Sequence, residues 1–353
     1  MFLLALLAPV QAAELEPYVM GQVWTTLYDQ DQSAQADSAG YGDPEDDPGF
    51  KLRRARLGMI RAPELGASPG ERVGFSIILG MSSGADPIVA INPGELGLID
   101  AHMSFAATEN LTLSTGLVKV PWGRENQFSS LQLPFQERSI QSNHMVSLRE
   151  VGATAVWNGP KGIRLSGGAF NGNGSLVGDT DPLLLFAGRA EWATKAQHRR
   201  ALRTFGSVAS PVVGIAVDVA YNNQSATDEL VLGGDVIVRV QGLALMAEGH
   251  WSQITPLGGV EAPGVLSTTT RFGAYAQAGY SLGERWEPVV RWEVWDEDTA
   301  RVDNGDLMHV YAGVTAHLLE DSLRVGGGYV LRSERGGSSV PNDTARLWVQ
   351  YSY

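Results

Sequence analysis

Arg54 and Arg56 are two residues apart, the spacing that puts both side chains on one face of a β-strand. A guanidinium is permanently charged and presents five N–H donors in a planar fork. A row of them can replace part of the hydration shell of a passing anion. The same alternation selects Arg164, Arg189, Arg239, Arg271, Arg291, Arg324, Arg332 and Arg346 further along the chain. Acids fall on the same faces: Asp100, Glu150, Glu191, Asp218, Asp235, Glu248, Glu287 and Glu293. The mixture is slightly basic, with Gly and Ser between. A packed core does not tolerate so many charges, whereas the wall of a water-filled tunnel does. Singly, each residue reads as half of a solvated ion pair. Together they set a field along a pore, which the acids weaken.

Other chemistry is poorly supported. His102, His144, His250, His309 and His317 could act as bases, but no His-Glu-x-x-His word accompanies them. The 353 residues include no Cys, so disulfides and thiolate metal sites are excluded. The runs Asp296-Glu297-Asp298 and Asp179-Thr180-Asp181 leave a calcium site open, without the spacing of an EF-hand. No enzymatic activity, cofactor or metal is expected. The net charge of -13 argues against a nucleic-acid partner. Much of that acidity is local, in Asp29, Asp31, Asp37, Asp43, Glu45, Asp46 and Asp47. Two rival classes remain. An outer-membrane barrel enzyme of the lipase or protease kind would show hydrolase activity. A secreted soluble β-sandwich would have shorter strands and stay in buffer without detergent.

The elements that must position these charges are strands. In Asp343 to Tyr353, Ala345, Leu347, Val349, Tyr351 and Tyr353 lie on one face, and Thr344, Arg346, Trp348, Gln350 and Ser352 on the other. The same register predicts sixteen strands, near 17–28, 50–61, 72–82, 96–107, 111–120, 148–158, 163–170, 184–193, 212–222, 230–240, 242–254, 268–280, 286–296, 307–317, 322–332 and 343–353. Long connections, including 29–49, 121–147 and 223–229, alternate with mostly short turns. Apolar faces such as Val73, Phe75, Ile77, Leu79 and Ile99, Ala101, Met103, Phe105 would meet lipid. Phe105, Trp157, Trp192, Tyr280, Trp286, Tyr351 and Tyr353 would form an aromatic girdle at the short-turn rim, and Tyr221 and Trp251 at the other. Within lipid an open sheet edge is not viable, so the sheet must close. The fold class is therefore all-β, a transmembrane antiparallel barrel.

Residues 1–13 read as a secretory signal without its basic start, so the true start is expected upstream; cleavage would follow Ala12 or Ala13. Residues 14–353 then form one barrel domain in the outer membrane of a Gram-negative-type bacterium, in contact with its lipid. The third long loop, 121–147, carries Trp122, Arg124, Glu125, Phe128, Phe135, Glu137, Arg138 and His144. So apolar a loop is poorly suited to water. It is expected to fold into the barrel and narrow it.

Several words of the chain resemble the phosphate-selective porin O and P family. They are Phe50-Lys51-Leu52-Arg53-Arg54-Ala55-Arg56-Leu57-Gly58, Asp100-Ala101-His102-Met103, Gly116-Leu117-Val118-Lys119-Val120-Pro121-Trp122-Gly123-Arg124-Glu125, Ala169-Phe170-Asn171-Gly172, Gly188-Arg189 and Pro288-Val289-Val290-Arg291-Trp292-Glu293. The resemblance implies a sixteen-stranded, trimeric, anion-favouring channel. It puts Arg53, Arg54 and Arg56 in or near an arginine ladder, with Arg53 toward the rim. The chain departs from the phosphate-specific pattern in having no lysine within 121–147; its only lysines are Lys51, Lys119, Lys161 and Lys195. The expectation is a passive channel for small hydrophilic solutes with a weak anion preference.

Overall fold

The computed structural model describes residues 15–28, 49–65, 70–82, 94–135, 137–176, 183–195, 205–257, 267–303, 305–337 and 343–353. The expected signal, the acids of 29–47 and Asp179 to Asp181 lie outside them. The described strands are β1 (Glu16–Tyr28), β2 (Gly49–Arg61), β3 (Val73–Met81), β4 (Gly97–Ala106), β5 (Leu111–Lys119), β6 (Arg149–Asn158), β7 (Ile163–Phe170) and β8 (Leu185–Ala193). They continue as β9 (Val208–Asn223), β10 (Thr227–Gln241), β11 (Leu243–Pro256), β12 (Thr269–Tyr280), β13 (Trp286–Asp296), β14 (Leu307–Leu318), β15 (Leu323–Glu334) and β16 (Thr344–Ser352). Each strand pairs antiparallel with its sequence neighbours, and β1 pairs with β16 to close the barrel.

The period of two sets the two surfaces. On β9, Ile215, Val217, Val219 and Tyr221 are exposed on the outside, while Ala216, Asp218 and Ala220 are buried within. On β16, Leu347, Val349 and Tyr351 face out and Trp348 and Gln350 face in. Closure leaves no unpaired edge among these strands, as a hydrocarbon surround requires. Rings at the strand ends, including Trp157, Trp192, Tyr280, Trp286 and Tyr353, are also exposed outside.

The structure corrects four expectations. The wall over β9, β10 and β11 is taller than predicted, and 223–229 is a short turn, because pairing continues to Asp228–Asn223. Ile99 does not face lipid. Between β3 and β4, Ile78 pairs with Asp100 and Leu79 with Leu98, so Ile99 is an extra residue in a β-bulge. The bulge turns both Ile99 and Asp100 inward, and Ile99 packs with Ile78, Leu148, Tyr18 and Ile60. Arg53 is not at the rim: Gln22 pairs with Arg54 and Val23 with Leu52, leaving Arg53 in a second bulge. Arg53, Arg54 and Arg56 are consequently all buried inside.

The fourth correction concerns the interior, which is not uniformly polar. Phe170, Leu185, Trp295 and Leu307 point inward from the wall and pack with Val120, Trp122, Ile140 and Met145. This apolar cluster exists because segment 121–147 lies inside the barrel and needs a surface to pack against.

Candidate functional site

Segment 121–147 enters at Gly123, whose φ is +57°. A Cβ there would sit 2.8 Å from Glu248 Oε1, so glycine lets the backbone pass against the wall. Two short helices follow, α1 (Arg124–Gln127) and α2 (Ile140–His144). Three groups of wall residues hold the segment.

The first group lies on β8 to β11. Arg124 bonds Asp235 at 2.6 Å. Asp235 also receives Arg189 at 2.5 Å, and Arg189 bonds Asp218 and Glu191, each at 2.9 Å. His250 faces Asp218 at 2.9 Å, and Trp122 meets the His250 ring edge-on with centroids 4.6 Å apart.

The second group lies on β11 to β13. Arg291 bonds Glu125 at 2.6 Å and Gln277 at 3.0 Å. Its guanidinium lies 5.0 Å from the centroids of both Phe135 and Tyr275. Glu125 also accepts from the Ser139 N–H and hydroxyl at 2.8 Å. Its own N–H donates to Glu248 at 3.2 Å, and the Ile140 N–H donates to Glu293 at 3.3 Å.

The third group lies on β1, β2 and β15. Arg53 and Arg54 bond Glu137 at 2.6 and 3.0 Å, and Arg54 also donates to Gln22 at 2.7 Å. Arg56 donates to Ser130 at 3.0 Å, and Arg324 to the carbonyls of Leu133, at 3.0 Å, and Leu131. Arg138 braces the segment internally through the Glu125 and Phe128 carbonyls.

The remaining predicted residues lie on the wall. Asp100 takes a two-pronged bond from Arg149 at 2.8 and 3.0 Å. Glu150 accepts the Gly174 N–H at 2.8 Å, and Arg164 lies 3.8 Å from Glu191. Arg239 donates to the carbonyls of Phe205 and Gly206. Arg271 bonds Glu229, Ser252 and the His144 carbonyl. Arg346 lies over Trp24, 3.8 Å from its centroid. The arginines of β2 are therefore engaged with the loop rather than ranged as a bare ladder. Sequence reading missed Arg149, Gln22, Gln277, Tyr275 and Trp24. Only Arg149 carried a signal, a charge at the start of an inward strand.

Charge stabilises these contacts. Burial pushes the Glu137 carboxyl up, but the Arg53 and Arg54 guanidiniums outweigh it and hold it at about 2, below its usual 4.5. A depressed value contributes stability that is complete above 4.5 and lost as pH falls through about 2. The stability difference between the protein and Glu137→Gln, measured by unfolding in detergent, should be constant from pH 7 to about 5 and shrink toward about 2. A difference already gone at about pH 5 would refute this pairing. His144 is pulled down to about 4 by burial and by Arg271, so it adds no charge at neutral pH.

Two stretches, Gly66 to Gly70 and Gly80 to Gly84, match the spacing Gly-x-Ser-x-Gly. Ser68 lies outside the described residues. The first stretch leads into strand β3 rather than a helix, unlike the strand–turn–helix elbow of a hydrolase; Ser82 follows the end of β3, and the residues after it lie outside the described ones.

The model of the family described as phosphate-selective porin O and P matches residues 30–353. The chain belongs to that family. It is an outer-membrane porin of a Gram-negative bacterium, a channel built on a sixteen-stranded barrel. No similar sequence is found among curated proteins. The fold of this porin resembles that of a loop-L8 deletion mutant of OmpT, an outer-membrane protein of Vibrio cholerae. The TM-score is 0.64 at 9% identity, covering 96% of this chain and 99% of that one. It also resembles the outer-membrane channel DcaP of Acinetobacter baumannii, with a TM-score of 0.59 at 12% identity over 96% and 97% of the two chains. An anion-selective porin from Comamonas acidovorans gives 0.59 at 10% identity over 96% and 99%. At these identities the likeness shows the fold alone.

Proposed function

We propose that this porin is a passive diffusion channel for small hydrophilic solutes, weakly anion-preferring, homotrimeric and without enzymatic activity, in which 121–147 is the constriction. The observation that carries the reading is a pair of clefts beside the loop whose linings mix charged, polar and apolar side chains. One, of about 260 Å³, is lined by Asp100, His102, Lys119, Gln127, Arg164 and Glu191. The other, also about 260 Å³, is lined by Ser147, Glu150, Asn173, Asn222, Gln224 and Glu229. In the first cleft Lys119 and Arg164 oppose Asp100 and Glu191, a near balance that supports weak rather than strict selectivity. The Vibrio cholerae OmpT structure is described as a trimer, which supports the same assembly here.

The test is the reversal potential in a potassium chloride gradient across a planar bilayer. The wild type should show a modest anion preference. Lys119→Ala combined with Arg164→Ala should move it toward cations. Arg54→Ala and Arg56→Ala should do the same while also altering conductance, because both side chains hold the loop. Variants that leave the reversal potential and the conductance unchanged would remove these residues from the path. Cross-linking reports the trimer, and ester and peptide hydrolysis assays report any enzymatic activity.

A further inference from the structure

Glu150 is a carboxylate of the inner wall with no cation beside it among the described residues. It is about 1% exposed and lines the second of the two clefts beside the loop. Its Oε1 accepts the Gly174 N–H at 2.8 Å. Its Oε2 is buried and accepts no hydrogen bond from the described residues. The other donors that bear on it are the Gly172 N–H and the Ser147 hydroxyl, and that hydroxyl is given to the Arg149 carbonyl. Arg149 itself is held by Asp100 through two bonds. Elsewhere in the cleft lining, Glu229 is already matched by Arg271 and the Ser252 hydroxyl. The parts of the long-rim connections outside the described residues, 29–48, 83–93, 136, 177–182, 258–266, 304 and 338–342, contain no Lys, Arg or His. No countercharge comes from that side of the chain. A buried carboxylate so placed either holds a proton or takes a cation from solution.

The surroundings suit an organic cation better than a metal ion. Among the described residues no three His, Asp or Glu converge to hold a metal. The cleft encloses about 260 Å³, and Met145, Val146, Leu185, Ala220 and Val231 on its walls can cover a short carbon chain. Asn222 lines the same cleft. Its Nδ2 donates to the Gly172 carbonyl at 3.0 Å, while its Oδ1 is buried and accepts nothing. Gln224 donates to the same carbonyl at 2.8 Å. The turn that carries Gly172 and Gly174 is thus pinned between Glu150 and the pair Asn222 and Gln224. Two free acceptors, one of them charged, match the N–H donors of a primary ammonium. The Asn173 Nδ2 donates to nothing and is left for an oxygen on the same solute.

We infer that Glu150 and Asn222 form a subsite for small primary ammonium solutes, in the cleft on the long-loop side of segment 121–147. The inference rests on the channel reading above but not on its anion preference. The ammonium supplies the countercharge that Glu150 lacks, and its carbon chain lies against Leu185 and Val231. One fixed charge holds the solute weakly enough for it to leave again, which suits conduction.

The experiment measures block of potassium chloride current through the full porin in planar bilayers. The probe is n-butylammonium, added on the long-loop side, and the control is tetramethylammonium, which has no N–H to donate. In the wild type butylammonium should block at a lower concentration than tetramethylammonium. Glu150→Gln keeps the shape and removes the charge. It should raise the half-blocking concentration of butylammonium roughly tenfold or more, the scale of one charge-assisted hydrogen bond. Glu150→Asp keeps the charge and should retain most of the block. Removing a fixed negative charge beside the path should also move the reversal potential of Glu150→Gln further toward anions. Equal block by the two cations in the wild type overturns the subsite whatever the variants do. So does equal butylammonium block in wild type and Glu150→Gln. An unchanged reversal potential in Glu150→Gln would show that the carboxyl carries its own proton, and it overturns the subsite as well. Heat-modifiable gel mobility confirms folding of each variant. A protein that conducts no ions would refute the parent reading. Conduction without discrimination between the two cations would refute only the subsite.

Discussion

Arg291→Ala should destabilise the barrel by about 3–5 kcal/mol, the cost of removing one partner from a buried ion pair. Arg291 and Glu125 are each about 1% exposed and bond at 2.6 Å. Without Arg291, the Glu125 carboxylate keeps the Ser139 N–H and hydroxyl but loses its charged partner. The packing of Phe135 and Tyr275 against the guanidinium is lost as well. The free energy is read from urea unfolding in lipid or detergent, followed by tryptophan fluorescence. Because the pair joins the loop to β13, single-channel conductance should rise and become noisier in the same variant. The double variant Arg291→Met with Glu125→Leu should recover only part of the stability: it removes the unpaired charge, but the Ser139 N–H and Gln277 Oε1 lose their partners. A single variant losing under about 1 kcal/mol would show that the pair does not hold the loop.

Val217→Arg should cost about 2–4 kcal/mol, the value for a basic residue on the lipid face at the bilayer midplane. Val217 is mid-strand on β9, is 64% exposed, and pairs with Ala190 and Gly234 at the centre of both neighbouring strands. Its cationic side chain would have hydrocarbon around it and must bend toward a rim to find water. The same substitution at Asn223, the last residue of β9, should cost at most about 1 kcal/mol, because charges near the interface are tolerated. Refolding yield into vesicles and urea midpoints measure both. Equal costs at the two positions would show that the exposed belt is not the lipid-facing surface.

Both predictions follow from features of unequal legibility. The belt was readable because a strand has period two: Val213, Ile215, Val217, Val219 and Tyr221 share a face whatever the rest of the chain does. Sixteen such segments, and the need to leave no edge in lipid, sufficed for the closed barrel. The inward arginines were readable for the same reason, since a charge excluded from lipid has only the interior left.

Alternation fails where a strand gains a residue. The bulges at Arg53 and Ile99 invert the face of a residue relative to its strand, and nothing local in either strand marks the shift. It arises from fitting one strand's register to both neighbours at once. The partners of Glu125, Glu137 and Arg124 were equally hidden. They lie 166, 84 and 111 residues away along the chain, brought together only by closure of the barrel and entry of the loop. The sequence by itself determined which surfaces meet lipid and that the charges turn inward, because those depend on spacing along one strand. Only the tertiary structure decided which charges pair, where the inward loop is anchored and where open clefts remain, because those depend on distances across the barrel.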